Sequence, residues 1–559
     1  MKKKTTYILA AMLAAGSCSY LEFDETNGYS PKEDIYKYFD KTKEMLTNVY
    51  SYIPQDFGSL DGAMRDCASD DAIFGNTGAQ IYTLTNSSWS AVNTYDNAFS
   101  LYSAIRSAND FMDNVEGVDL SRFSTDANYE NWMAQLKYFG AEARALRAFY
   151  FFELAKRYGD IPMPLKVLTV KEVNDIPKTP FDDVVTFIAK ECDECAAILP
   201  ASYQTEPYSE TGRVTKGFCI ALKTKALLYA ASPLHNGNGD TAKWKRAALA
   251  AKELIDLNLY SLDRADKCNN LNSPENIFVR INDKSSSFEN VAFPLRFMQG
   301  KRSNAAACIY PTQNLVDAFQ TVNGHYVELK SGGFTSTDPK FDPKKPYSNR
   351  DPRLARTVLT NGAVFKGSVI ETFNGGKDAG EMSTGATPTG YYLKKYVIEN
   401  TSFDPNAGAS FKHHWVVFRY AEILLSYAEA MVGTFGSPAY KDSEFTMSAA
   451  EALNMVRANA GMPAVTTKNR DKFTDELRNE WRVEFAFEDH RFWDVRRWKT
   501  GAETQREIYG VEITVNSSAS SYRQVLCQTR FWHNRMLLYP IPQTELTKNE
   551  KLKPQNAGW

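Results

Sequence analysis

The sequence predicts a mainly α protein, with antiparallel helical hairpins packed against an irregular, loop-rich region that holds short β elements. Three observations carry this. Apolar residues recur at three- and four-residue steps over long stretches, the period of a helix with one buried face. These stretches come as Ala-rich pairs joined by turn-rich loops. Residues 262–415 break the pattern, being rich in Gly, Asn, Ser, Thr, Pro and Tyr, with β-like runs such as NIFVRI and YYLKKYVI. A segment that long is more than a connection, and such regions often carry function.

The elements follow in chain order. Lys2, Lys3 and Lys4 precede an uncharged run from Thr5 to Ser17. The run is too short to span a bilayer and reads as a signal peptide, residues 1–17. Ala15, Gly16 and Ser17 before Cys18 form a lipobox, which predicts cleavage and lipidation at Cys18; the alternative is an ordinary signal with a chance cysteine. Several acyl chains anchor stably where one is marginal. Residues 18–35 read as a polar tether, and 36–559 as one domain. Its helical scaffold spans about 36–260 and 416–559, and its loop-rich insertion about 262–415.

Helical spacing predicts helices over 36–53 and 101–115, with loops over 56–97. The longest helix carries Leu136, Phe139, Ala143, Leu146, Tyr150 and Leu154 on one stripe. Gly159 stops it, and Pro162 and Pro164 prevent its resumption. Thr179–Pro180 opens a helix to about 198 in N-cap and N1 style. Two further pairs follow, 214–232 with 240–258 and 418–431 with 446–461. These pairs resemble hairpins of the tetratricopeptide kind, without a strict 34-residue period.

The bulk numbers exclude several functions. A net charge of −2 gives no basic face for nucleic acid. Eight cysteines include Cys18, and the odd seven left are too scattered for a disulfide framework. Cys192 and Cys195 read as two solvent-side or half-buried helical thiols, without the partners a zinc site needs. The six histidines include no HExxH. No GxSxG, P-loop or dinucleotide fingerprint occurs, so neither metal nor cofactor is expected. In RNEWRVEFAFEDHRFWDVRRW, 478–498, Glu484 and Glu488 lie four apart on an expected helix. The interleaved arginines favour ion pairs over general acid–base work, because an Arg-paired carboxylate has its pKa lowered.

Several stretches together resemble the SusD/RagB family of outer-membrane nutrient-binding lipoproteins. They are AEARALRAFYFFELAKRYGDIPMP, ALKTKALLYAASPL, YPTQNLVDAFQTVNG, NRDPRLARTVL, FRYAEILLSYAEAM, ALNMVRANAG, the 478–498 motif and YPIPQTELTKNEKLKPQNAGW. The resemblance covers nearly the whole chain, in order. It implies about four tetratricopeptide-like units and a non-catalytic surface lipoprotein. Such a protein captures oligomeric nutrient outside the cell and closes as a lid over a SusC-like TonB-dependent outer-membrane transporter.

Sugar recognition needs an aromatic face and polar groups for hydroxyls. The early loops offer Asp70, Asp71, Trp89, Tyr95 and Asn97, with Trp89 as the stacking platform; its alternative is a core tryptophan that anchors the loop. The insertion offers Arg302, Cys308 and Tyr391 to complete the site. The absence of a basic cluster in the sequence suggests a neutral oligosaccharide such as a fructan. Peptide or glycopeptide cargo is the alternative, and a helical glycosidase, needing two unpaired acids across a cleft, is a third reading.

Overall fold

The computed structural model describes residues 32–559, except 207, 266–267, 299–301, 303 and 517–518. The signal peptide, Cys18 and the tether up to residue 31 lie outside the described residues. Among those described, no helix is long and apolar enough to cross a membrane.

The scaffold is a stack of antiparallel helices: α1 (Phe39–Ser51), α2 (Leu101–Val115), α3 (Tyr129–Tyr158), α4 (Phe181–Ile198), α5 (Lys216–Ala231) and α6 (Thr241–Asp256). At its centre α3 packs on α1, α2, α4 and α5, and from Tyr138 onward nearly every side chain is buried. A helix covered on all sides must be apolar or ion-paired all round, and this one is both. It ends at Gly159, whose φ of 72° places the stop where the sequence puts it. Proline 180 stands one position earlier than N1 and serves as the N-cap of α4.

The insertion leaves after α6 and the scaffold resumes with α9 (Tyr420–Phe435), α10 (Ala449–Ala460), α11 (Arg470–Glu484) and α12 (Arg491–Trp498). A two-stranded ladder explains how. The NIFVRI run lies in β2 (Asn276–Ser285), which pairs antiparallel with β4 (Phe411–Arg419), so the two ends of the insertion are stapled together. That staple sets α9 against α6, and the stack continues as though uninterrupted. Inside the insertion lie α7 (Gln313–Ala318) and α8 (Pro352–Thr357). The architecture is a helical, tetratricopeptide-like scaffold carrying an irregular region.

Three further details differ from the sequence reading. YYLKKYVI contributes only a two-residue strand, Tyr392–Leu393. The C-terminal part holds a long β-hairpin, β5 (Glu507–Asn516) with β6 (Ala519–Thr529), in place of helix. Cys192 and Cys195 are buried against α5, and all seven body cysteines are free thiols.

Candidate functional site

The early loops and the insertion meet at one small sheet. Strand β1 (Ala72–Phe74) pairs antiparallel with β3 (Ile309–Pro311), matching Ile73 to Tyr310. Thr312 extends the junction, its N–H donating to the Asp71 carbonyl at 3.0 Å and its hydroxyl to the Asp70 carbonyl at 2.6 Å. The same hydroxyl accepts from Leu315 N–H and caps α7. One threonine thus fixes the early loop and the start of a helix that walls a cleft.

That cleft, of about 530 Å³, lies among Asp70, Arg482, α7, residues 502–507 and the β-hairpin. Two arginines from the 478–498 motif bind its floor. Arg491 donates through Nε and Nη2 to the two Asp70 oxygens at 2.8 and 2.9 Å, and Gln505 adds a bond of 2.6 Å. Arg482 lies 2.8 Å from Asp70 and 2.7 Å from Asp71. Burial alone would raise the Asp70 carboxyl, but the two guanidinium groups hold it well below the ordinary carboxylate range. Asp70 is therefore a fixed anion and no proton donor. Asp71 goes the other way: its burial outweighs Arg482, and the Asp70 charge adds to the rise.

On the walls, Asn314 clamps the hairpin, accepting from Tyr509 N–H at 2.7 Å and donating to the Glu507 carbonyl at 3.0 Å. Tyr509 presents a half-buried ring, and its hydroxyl donates to Glu507 at 2.5 Å. Asp317 accepts from Gln313 at 2.6 Å, and burial pushes its carboxyl up to about 7. Arg506, Thr504 and Gln524 complete a lining of hydrogen-bonding groups around one aromatic ring.

The other sequence candidates have different places. Trp89 is 1% exposed, with Tyr539 and Trp559 set edgewise at 4.8 and 5.0 Å; no ring face is open to a sugar. Tyr95 donates to Asp61 at 3.1 Å, and exposed Asn97 caps the following turn through Phe99 N–H. Buried Arg302 reaches the carbonyls of Asn290, Phe293 and Ala305, which staples its own loop. Cys308 is fully buried beside the Phe293 carbonyl. Tyr391 is buried, donating to Gln313 at 2.5 Å and paired with the Tyr347 hydroxyl at 3.1 Å. Of the eight, Asp70 reaches this cleft directly and Asp71 through Arg482; the rest support neighbouring segments.

The acid-rich motif is a buried ion network, as its composition suggests, but with a break. Helix α11 ends at Glu484, and Phe487 and Asp489 take positive φ of 61° and 58°. Glu488 therefore leaves the helix and joins Glu484 on one guanidinium, that of Arg419. Glu480 and Glu484 both receive Arg353 of α8. No acid of this group is left free for catalysis.

Comparison with known proteins agrees with this architecture. The pattern of the SusD family matches residues 264–559, and that of a family described as starch-binding, associating with the outer membrane, matches 19–216. SusD-like protein P2 of Formosa agariphila is 23% identical over 470 residues, 82% of this chain and 79% of that protein. Among solved structures, a SusD-like protein from Bacteroides fragilis superposes with a TM-score of 0.75 at 26% identity, covering 95% of this chain and 99% of that one. A SusD-like carbohydrate-binding protein from the same species gives 0.73 at 23% identity, covering 93% and 100%. A laminarin-binding SusD-like protein gives 0.58 at 20%, covering 93% and 99%. With a family pattern across more than half of its length, the chain belongs to the SusD family.

Proposed function

We propose that this protein is a non-catalytic lipoprotein, anchored through Cys18, that binds oligosaccharide and delivers it to a TonB-dependent outer-membrane transporter as its lid. The observation that carries this reading is the family match along nearly the whole chain, including a pattern described as starch-binding and associating with the outer membrane. The cleft beside Asp70 supports it chemically. A sugar needs donors and acceptors for its hydroxyls and an aromatic face for its C–H groups, and Arg506, Asp317, Gln524 and Tyr509 supply these types together. The sequence shows no basic cluster, which suggests a neutral glycan such as a fructan, but the fold brings Arg264, Arg356 and Lys394 to one cleft.

The test is calorimetric titration of the full chain in detergent against glycan and peptide panels, beside Tyr509→Ala and Trp89→Ala. Binding of one glycan class without turnover, weakened at least tenfold in Tyr509→Ala and kept in Trp89→Ala, supports the reading. Selective peptide binding would replace the cargo. One observation favours a hydrolase as the second reading, the Asp317 carboxyl pushed up to about 7 in the cleft. Depolymerisation of a panel glycan, abolished in Asp317→Asn, would establish that reading and overturn the first.

A further inference from the structure

We propose that a second cleft, remote in sequence from the first, is a site for an oxyanion group carried on a saccharide: a sulfate ester or a uronate carboxylate. The cleft measures about 450 Å³ and lies between the loop at Asp263–Arg264, the C-terminal end of α8, residues 394–399 and the end of α10. Its volume suits a sugar unit and exceeds what a bare inorganic anion fills.

The argument rests on which charges are already satisfied. Five cations line the cleft, Arg264, Arg353, Arg356, Lys394 and Lys395. Two of them form the floor and are spent. Arg353 pairs with Asp351, Glu480 and Glu484, and Lys395 pairs with Glu488 at 2.6 Å. The other three stand at the mouth. Arg356 is exposed and directed across the cleft, donating through Nη1 to the Arg264 carbonyl at 3.1 Å. Arg264 is exposed too, and the Arg356 hydrogen bond goes to a backbone carbonyl, which leaves its charge uncompensated. Lys394 is loosely ion-paired with Glu399 at 3.9 Å, too long for a hydrogen bond and open to exchange for a better-placed anion.

The acids in the lining offset these three only in part: Glu399 is the ion-pair neighbour of Lys394, and the two guanidinium groups keep their charge toward the cleft. Glu484 is held by Arg353 and Arg419. Asp263 accepts from Ser273 Oγ at 2.7 Å and Ala265 N–H at 2.8 Å. Glu399 accepts from Lys366 N–H at 3.2 Å. The mouth therefore offers two guanidinium forks to whatever enters, beside an ammonium that it shares with Glu399. Guanidinium forks match carboxylate and sulfate oxygens in pairs. Only the fold makes this cluster, because its members come from three distant stretches of the insertion.

The saccharide part rests on the oligosaccharide reading above; the oxyanion part stands without it. The experiment is titration of the full chain at low salt with tetragalacturonate, with the matching neutral tetragalactose and with sodium sulfate as competitor. The variant is the triple Arg264→Gln, Arg356→Gln, Lys394→Gln, whose side chains are at the surface, with its melting temperature as the folding check. Expected is binding of tetragalacturonate that sulfate displaces, that falls with added NaCl, and that weakens at least tenfold in the variant. Undiminished binding in the variant, or no binding of either anion by the parent, overturns the site. Sulfate binding lost in the variant, with no tetragalacturonate binding, keeps the oxyanion site and overturns its saccharide assignment.

Discussion

Replacing Arg419 by Met removes the centre of the buried ion network while keeping an apolar stem. The guanidinium is 1% exposed and donates to Glu488 through Nε at 2.7 Å and Nη2 at 2.9 Å. Its Nη1 reaches Glu275 at 2.6 Å and Glu484 at 2.7 Å. In the variant Arg353 still serves Glu484 and Lys395 still serves Glu488, but three carboxylates share less charge. Breaking a buried pair by removing one partner costs about 3–5 kcal/mol. An unfolding entropy of roughly 2.1 cal/mol/K per residue, over about 520 residues, makes each kcal/mol worth ~1 °C, so the variant melts about 3–5 °C lower at pH 7. The deficit depends on pH. Burial alone would raise the Glu488 carboxyl, but Arg419 and Lys395 hold it below its ordinary range. A depressed carboxylate adds stability above its unfolded pKa and loses it as pH falls through the folded one. Without Arg419 the same group takes up a proton more readily, so the deficit narrows from pH 8 toward pH 5. Differential scanning calorimetry across that range reads both effects. A melting temperature within 1 °C of the parent, or an equal deficit at pH 5 and pH 8, refutes the reasoning.

Other outcomes follow from single sites. Trp89→Ala removes a buried ring and costs about 3–5 kcal/mol, read as a fall in melting temperature with glycan affinity kept. Asp317 holds its proton up to about 7 when folded and only to about 3.9 when unfolded, so it makes parental stability decline as pH rises between those values; Asp317→Asn flattens that slope and melts above the parent at pH 8. Burial pushes Cys192 well up and Cys195 to about 12, so a thiol reagent at pH 8 leaves both unmodified until denaturant is added, while half-buried Cys527 reacts first by peptide mapping. At Gly501 an added Cβ would lie 2.0 Å from Trp532 Cζ2; Gly501→Ala costs about 1–3 kcal/mol of overpacking and, because the glycine opens the turn beside the cleft wall, weakens glycan binding as well as lowering the melting temperature.

Helix existence was legible because it rests on local periodicity. The 101–115 stripe, the Gly159 stop and the two late hairpins need nothing beyond their own neighbours. The hairpin 507–529 was less legible: VEITV and SYRQV alternate as strands do, but each run is only five residues long and follows a series of helices. The site was less legible, for a physical reason. Asp70 and Trp89 look alike from sequence, polar or aromatic residues in turn-rich loops. Burial separates them, and Tyr539 and Trp559, which cover Trp89, lie more than 400 residues away in the chain. Arg264, Arg356 and Lys394 show the converse: no window of sequence holds them together, so a basic cleft exists where no basic cluster can be read.

The buried charges lie where the three parts of the chain meet. Asp70 and Asp71 of the early loops bind Arg482 and Arg491 of the C-terminal helices. Arg353 of the insertion binds Glu480 and Glu484 of α11. Arg419 joins Glu275 at one end of the insertion to Glu484 and Glu488. An apolar core tolerates sliding more readily than such pairs do, since a displaced buried charge has no water to turn to. Both clefts border these junctions, and Asp70 and Arg353 each belong to the network and to a cleft at once. Their floors are consequently as fixed as the fold itself. Moving the three parts against one another would separate these buried pairs, so the described residues hold together as one body.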